Sequence, residues 1–139
     1  RGVFIGASAR TNAEGAAALV SLLAEIGQQG IVVKTPPGVL HLKSDCSMLD
    51  EEVILCTPRL AASAPFPGFR IVLTPEGEEG AANALRIADA VLISQDYPRT
   101  ADLLAREGYR VETLTTREVA KIDAGLSCMS LRWRRPLTG

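Results

Sequence analysis

Lys121-Ile122-Asp123-Ala124-Gly125-Leu126-Ser127-Cys128-Met129-Ser130-Leu131 is the stretch on which the reading of this chain turns. A small, glycine-containing turn runs into an apolar segment, and a cysteine stands at its mouth. The pattern predicts a last strand over residues 126–133, with the Cys128 thiol at the end where a small molecule can reach it. A thiolate nucleophile usually works with an imidazole, and the two need only be neighbours in the fold. The chain has a single histidine, His41, far from Cys128 in sequence.

Two further segments look like the one that opens at Gly125. Gly38-Val39-Leu40-His41-Leu42-Lys43 and Gly80-Ala81-Ala82-Asn83-Ala84-Leu85 each lead into a strand that turns back on itself. The steps from His41 to Asn83 and from Asn83 to Cys128 are 42 and 45 positions. Periods in this range mark repeat architectures, propellers among them. In a ring of such units the equivalent positions face the axis, so His41, Asn83 and Cys128 would meet there. Chance spacing among three short look-alike segments is the alternative reading.

Outward from these points, the pattern predicts an α/β chain of repeated helix-strand-strand units. Residues 2–5 read as a strand and residues 6–12 as a polar turn, with Thr11 or Asn12 capping a helix over residues 16–26. Gly27 and Gly30 close that helix, and a β-branched strand follows at 31–33. Pro36-Pro37-Gly38 breaks the chain before a strand at 39–44, in which His41 and Lys43 share one face. An acidic turn, Asp50-Glu51-Glu52, leads to a return strand at 53–56. A helical turn at 58–64, a strand at 69–73 and a loop at 77–80 come next. Strands at 83–87 and 90–93 pair across Asp89. Pro98 opens an amphipathic helix over 99–107, closed by Gly108. A strand at 109–114 and a short helix reaching about Ile122 precede the last strand.

Composition narrows the function classes. At 139 residues, 47% of them hydrophobic, the chain is long enough for one domain with a core, and residues 1–139 are read as one. A net charge of −1 leaves no footprint for nucleic acid or an acidic membrane. Arg132, Arg134 and Arg135 read as a solvated tail. No run of sequence is apolar and long enough for a membrane span. Three cysteines, Cys46, Cys56 and Cys128, at irregular spacing suit reduced thiols in a cytoplasmic protein. None of the spacings is that of a structural zinc site, so no metal and no cofactor are expected. Cys56, within Val53-Ile54-Leu55-Cys56, reads as a small buried hydrophobe, and Cys46 as packing.

At His41-Leu42-Lys43-Ser44-Asp45-Cys46-Ser47 and at Leu126-Ser127-Cys128-Met129-Ser130 the sequence resembles the dimethylarginine dimethylaminohydrolase family. Gly6-Ala7-Ser8-Ala9-Arg10-Thr11-Asn12 and Ala81-Ala82-Asn83 also have counterparts there, so the likeness runs in order along essentially the whole chain. The family belongs to the guanidine-modifying, or pentein, superfamily. The resemblance implies a partial five-bladed α/β propeller, about half of the full ring, with this chain as the C-terminal half. Its expected partners are the missing N-terminal half or a second copy, and a small methylarginine substrate.

The activity implied is hydrolysis of asymmetric dimethylarginine and monomethylarginine to citrulline and a methylated amine. On matching positions, Cys128 would be the nucleophile and His41 the acid/base. Arg10 would pair with the substrate α-carboxylate. Ile122 would offer its backbone carbonyl to the α-amine, with Asp123 beside it. The carboxylates that grip the guanidinium in the family lie mostly upstream of the matched region. Arginine deiminase and amidinotransferase of the same superfamily are the alternatives, as is a propeller used only for binding. A guanidinium carbon is a poor electrophile, so the chemistry needs a thiolate and a proton shuttle, which is what Cys128 and His41 would supply.

Overall fold

The computed structural model describes residues 2–131. Three small sheets carry the chain, and the second and third follow the same order of elements. The first holds β1 (Gly2–Ala7) and β2 (Gln29–Lys34), paired in parallel across α1 (Ala13–Glu25). Asn12 caps α1 by accepting from the Gly15 N–H at 2.8 Å, which satisfies one of the free donors of the first turn.

The second sheet joins β3 (Cys46–Met48), β4 (Val53–Cys56) and β5 (Arg70–Leu73). β3 and β4 are antiparallel, and β4 and β5 are parallel with α3 (Pro58–Ala61) between them. Thr57 caps α3 and Pro58 opens it, a pairing that suits a helix start. The third sheet repeats the plan: β6 (Leu85–Ile87) and β7 (Ala90–Ser94) antiparallel, then α4 (Pro98–Arg106), then β8 (Arg110–Leu114) parallel to β7. A helical turn precedes each hairpin: α2 (Leu42–Asp45) before β3, and a 3-10 turn, Glu79–Ala82, before β6. After β8 come α5 (Arg117–Ala120) and the turn that holds Cys128. The expected repeat of helix and strand pair is therefore present.

β4 explains how the units pack. Val53, Ile54, Leu55 and Cys56 are all buried, so the strand is apolar on both faces. Val53 and Leu55 point into a cluster with Leu49, Val72, Val91, Ile93 and Leu104, which joins the second sheet to the third. Ile54 and Cys56 point the other way, to Leu60 and Phe66. Phe4 of β1 meets Phe66 and Phe69 edge-on, at 5.1 and 5.7 Å, and ties the first sheet to the second.

Two expected strands are not strands. Residues 39–44 run into α2, with His41 at its N-cap, and the antiparallel partner of β4 is Cys46–Met48 instead. Alternation over six residues cannot distinguish a strand from a single helical turn. Tertiary contacts decide it: Asp45 is buried at the end of α2, and Gly6 of β1 leaves room for Leu42, whose Cβ would lie 2.7 Å from any Cβ placed there. Cys128 likewise sits in a turn rather than at a strand mouth. The Met129 N–H bonds the Gly125 carbonyl at 3.1 Å and the Ser130 N–H the Ser127 carbonyl at 3.4 Å. The remainder of the expected last strand, and Arg132, Arg134 and Arg135, lie outside the described residues.

Candidate functional site

Asn83 lies at the centre of the site. It follows the 3-10 turn Glu79–Ala82, and its side chain reaches across to the turn at Gly125. Its Nδ2 donates to Cys128 Sγ at 3.1 Å. Its Oδ1 accepts from the Ser127 N–H at 2.9 Å and from the Ser127 hydroxyl at 2.6 Å. The contact requires glycine at 125: a Cβ there would stand 2.6 Å from Asn83 Cγ and closer still to Nδ2.

α2 closes the other side. Lys43 Nζ donates to the Ser127 carbonyl at 3.1 Å, and the Ser127 hydroxyl reaches the Lys43 carbonyl at 3.3 Å. Ser44, also on α2, is among the groups that favour the Cys128 thiolate. Next to it, Asp45 anchors α2 from within. Its carboxylate accepts from Thr57 Oγ1 at 2.8 Å and from Arg59 at 2.5 and 3.0 Å.

These contacts set the chemistry of the three thiols. Partial burial pushes Cys128 up, but hydrogen bonds from Asn83, from the backbone at Gly125 and from Ser44, with the charge of Lys43, outweigh it. The net result holds the thiol below its ordinary value of 9.0. Cys46 and Cys56 are pushed up to about 12, by burial first and then by neighbouring negative charge. The expectation that these two are packing groups is consistent with that.

The sequence-derived residues fall around this cluster unevenly. The turn that carries Cys128 packs on α2, and His41 stands at the head of α2 with its imidazole exposed and not capping the helix. No hydrogen bond or ion pair joins His41 to Cys128. Arg10 is exposed in a tight turn closed by Ser8 and Thr11, and Ser8 Oγ donates to the Leu40 carbonyl at 2.7 Å, next to His41. Ile122 is exposed, and Asp123 closes the turn that follows α5 in the left-handed region (φ 56°), with the Ala124 N–H bonded back to the Val119 carbonyl. A cleft of about 290 Å³ opens beside the cluster, lined by Ser44, Arg59, Glu79, Asn83, Asp123 and Gly125 among others. Asp123 is the one sequence-derived site residue on its wall.

Asn83 was legible as an equivalent position in the repeat and as part of the resemblance at Ala81-Ala82-Asn83, without a role at the thiol. Its bonds to Ser127 and Cys128 span 44 and 45 positions and leave no local signature. Among the described residues, no group of three or more His, Cys, Asp or Glu side chains is placed to hold a metal ion, and no helix is long and apolar enough to cross a membrane.

No family model matches the chain. Solved structures do match it, and they place it among α/β proteins with the fold of the guanidine-modifying superfamily. Inosamine-phosphate amidinotransferase from Streptomyces griseus shares the fold at a TM-score of 0.83 and 18% identity, over 96% of this chain and 43% of that one. Within that fold, the chain is similar to dimethylarginine dimethylaminohydrolase. The Pseudomonas aeruginosa enzyme is 42% identical over 130 residues, 94% of this chain and 51% of that protein. The Streptomyces coelicolor enzyme is 33% identical over 133 residues, 95% of this chain and 50% of that protein. A cysteine-to-serine mutant of the Pseudomonas enzyme complexed with citrulline superposes at a TM-score of 0.87, over 94% of this chain and 51% of that one. A histidine-to-glycine variant of dimethylarginine dimethylaminohydrolase, as an adduct with S-methyl-L-thiocitrulline, superposes at 0.85 with the same coverage and 42% identity. The chain spans about half the length of the curated relatives it matches.

Proposed function

We propose that the protein carrying this chain hydrolyses N-omega-methylated arginines to citrulline and a methylamine. The observation that carries the reading is the Cys128 thiol, its pKa held below the ordinary value by donors from two units, on a turn packed against the helix that His41 precedes. The likeness to the dimethylarginine hydrolases adds to it. The cysteine altered in the citrulline complex and the histidine altered in the thiocitrulline adduct are 87 positions apart, and so are Cys128 and His41.

In this reading the Cys128 thiolate attacks the guanidinium carbon of asymmetric dimethylarginine and forms a C–S bond. His41, as imidazolium, gives its proton to the dimethylamino nitrogen, the C–N bond breaks and dimethylamine leaves. A thiouronium remains on Cys128. His41, now neutral, takes a proton from water; the hydroxide adds to the same carbon, the C–S bond breaks, the remaining hydroxyl proton passes to solvent, and citrulline and the thiolate are released. Arg10 pairs with the substrate carboxylate, and the Ile122 carbonyl, with Asp123 beside it, receives the α-amine. The units would form about half of a five-bladed propeller, the remainder coming from further chain or a second copy and supplying the carboxylates that grip the guanidinium. A cytoplasmic setting suits three free thiols.

The test is citrulline release by the full protein, given asymmetric dimethylarginine or arginine, with Cys128→Ser as control. Release from the methylated substrate alone, lost in the variant, supports the reading. Equal or faster release from arginine points to a deiminase, and substrate-protected alkylation of Cys128 without turnover points to a binding module.

A further inference from the structure

The Asn83 side chain has two ends, and both are used on the same turn. The carbonyl end takes the N–H and the hydroxyl of Ser127, which fixes the backbone just before Cys128. The amide end is thereby aimed, and it points its N–H at Cys128 Sγ from 3.1 Å. An amide N–H is a donor only, so it favours the thiolate over the thiol. Gly125 completes the arrangement, since any larger residue there would push the amide away.

We propose that Asn83 is a positioning residue that sets the ionisation and the aim of the Cys128 nucleophile, acting from the neighbouring repeat unit. As a statement about turnover it rests on the thiol chemistry proposed above; as a statement about the thiol it stands on these contacts. Lys43, from α2, is the charged group that faces Cys128, and residues 125–130 carry no other ionisable side chain. Asn83 itself is neutral at every pH. Its contribution is therefore a fixed donor that adds to the charge of Lys43.

The experiment is the rate of iodoacetamide alkylation at Cys128 against pH, read by peptide mass spectrometry in the full protein. Asn83→Asp keeps an acceptor for Ser127 but replaces the donor by a negative charge. It is expected to move the midpoint upward by about one unit or more, roughly tenfold in rate near neutrality. Ser127→Ala removes one clamp bond and leaves the donor, so its midpoint should stay with the wild type. Gly125→Ala, which displaces the amide without altering Asn83, serves as the second variant and should shift the midpoint in the same direction as Asn83→Asp. An unchanged midpoint in both Asn83→Asp and Gly125→Ala overturns the proposal. So does a Ser127→Ala shift as large as that of Asn83→Asp, because the clamp alone would then explain it. Iodoacetamide needs no substrate, so failure here is distinguishable from failure to release citrulline.

Discussion

Cys46 and Cys56 face each other across β3 and β4, in register, Cys56 buried and Cys46 partly so; Cys128 lies on a turn between two units. One side-chain type is put to opposite uses. In the sheet, burial and the nearby carboxylate of Asp45 push both thiols up to about 12. On the turn, an amide, a hydroxyl, a backbone group and an ammonium more than offset a milder burial. Cysteine count says nothing of this difference. Reactivity follows from whether donors reach the sulfur, and here the donors come from residues distant in sequence.

The contrast can be broken most sharply by labelling. At pH 8 a thiol with a pKa of about 12 is roughly one part in ten thousand ionised, whereas Cys128 is held below the ordinary thiol value by its donors. Iodoacetamide should therefore modify Cys128 on the order of a hundredfold or more faster than Cys46 or Cys56 in the folded protein. Comparable rates at all three sites would erase the distinction.

Gly125→Ala attacks the turn without touching a thiol. The added methyl meets the Asn83 amide, so citrulline formation should fall about ten- to a hundredfold while the melting temperature changes little. The converse experiment is Cys56→Ser. It places a hydroxyl in a fully buried strand and should cost about 1–3 kcal/mol in a urea titration, with kcat unchanged. If that variant lost activity at full stability, the sheet cysteines would not be mere packing.

Glu78 extends the same rule to a carboxylate and carries the smallest effect. Burial would raise its pKa, but hydrogen bonds from Thr100 and Arg99 outweigh burial and hold it below the ordinary 4.5. A carboxylate depressed in the folded state stabilises fully above its unfolded value, and the gain is lost as pH falls through the folded one. Unfolding experiments below about pH 4.5 should show that loss, and Glu78→Gln should flatten the slope.

Much of the fold was legible because β4, β7 and α4 carry strong local signals. The apolar run at 53–56, the pair across Asp89 and the Pro98-to-Gly108 helix each stand where their sequence put them. The segments at 39–44 and 126–131 misled for one reason. A single helical turn is too short to show a period, and its conformation is settled by what it packs against, Gly6 and the buried Asp45 for α2 and Asn83 for the Cys128 turn. The site was readable as residue types, a lone histidine and a cysteine at repeat spacing. The meeting of Asn83 with Cys128 was readable from the repeat spacing too, but not the donor role of its amide, since a bond across 45 positions has no trace in either neighbourhood.

The central claim is that Cys128 carries the substrate carbon and His41 moves the protons. S-methyl-L-thiocitrulline separates these roles, because methanethiolate departs without a proton while hydrolysis of the thiouronium still needs a base. Given that compound, the full protein with His41→Gly should accumulate a covalent adduct, mapped by mass spectrometry to the peptide containing Cys128. An adduct on Cys46 or Cys56, or turnover as fast as with His41 in place, would contradict the account.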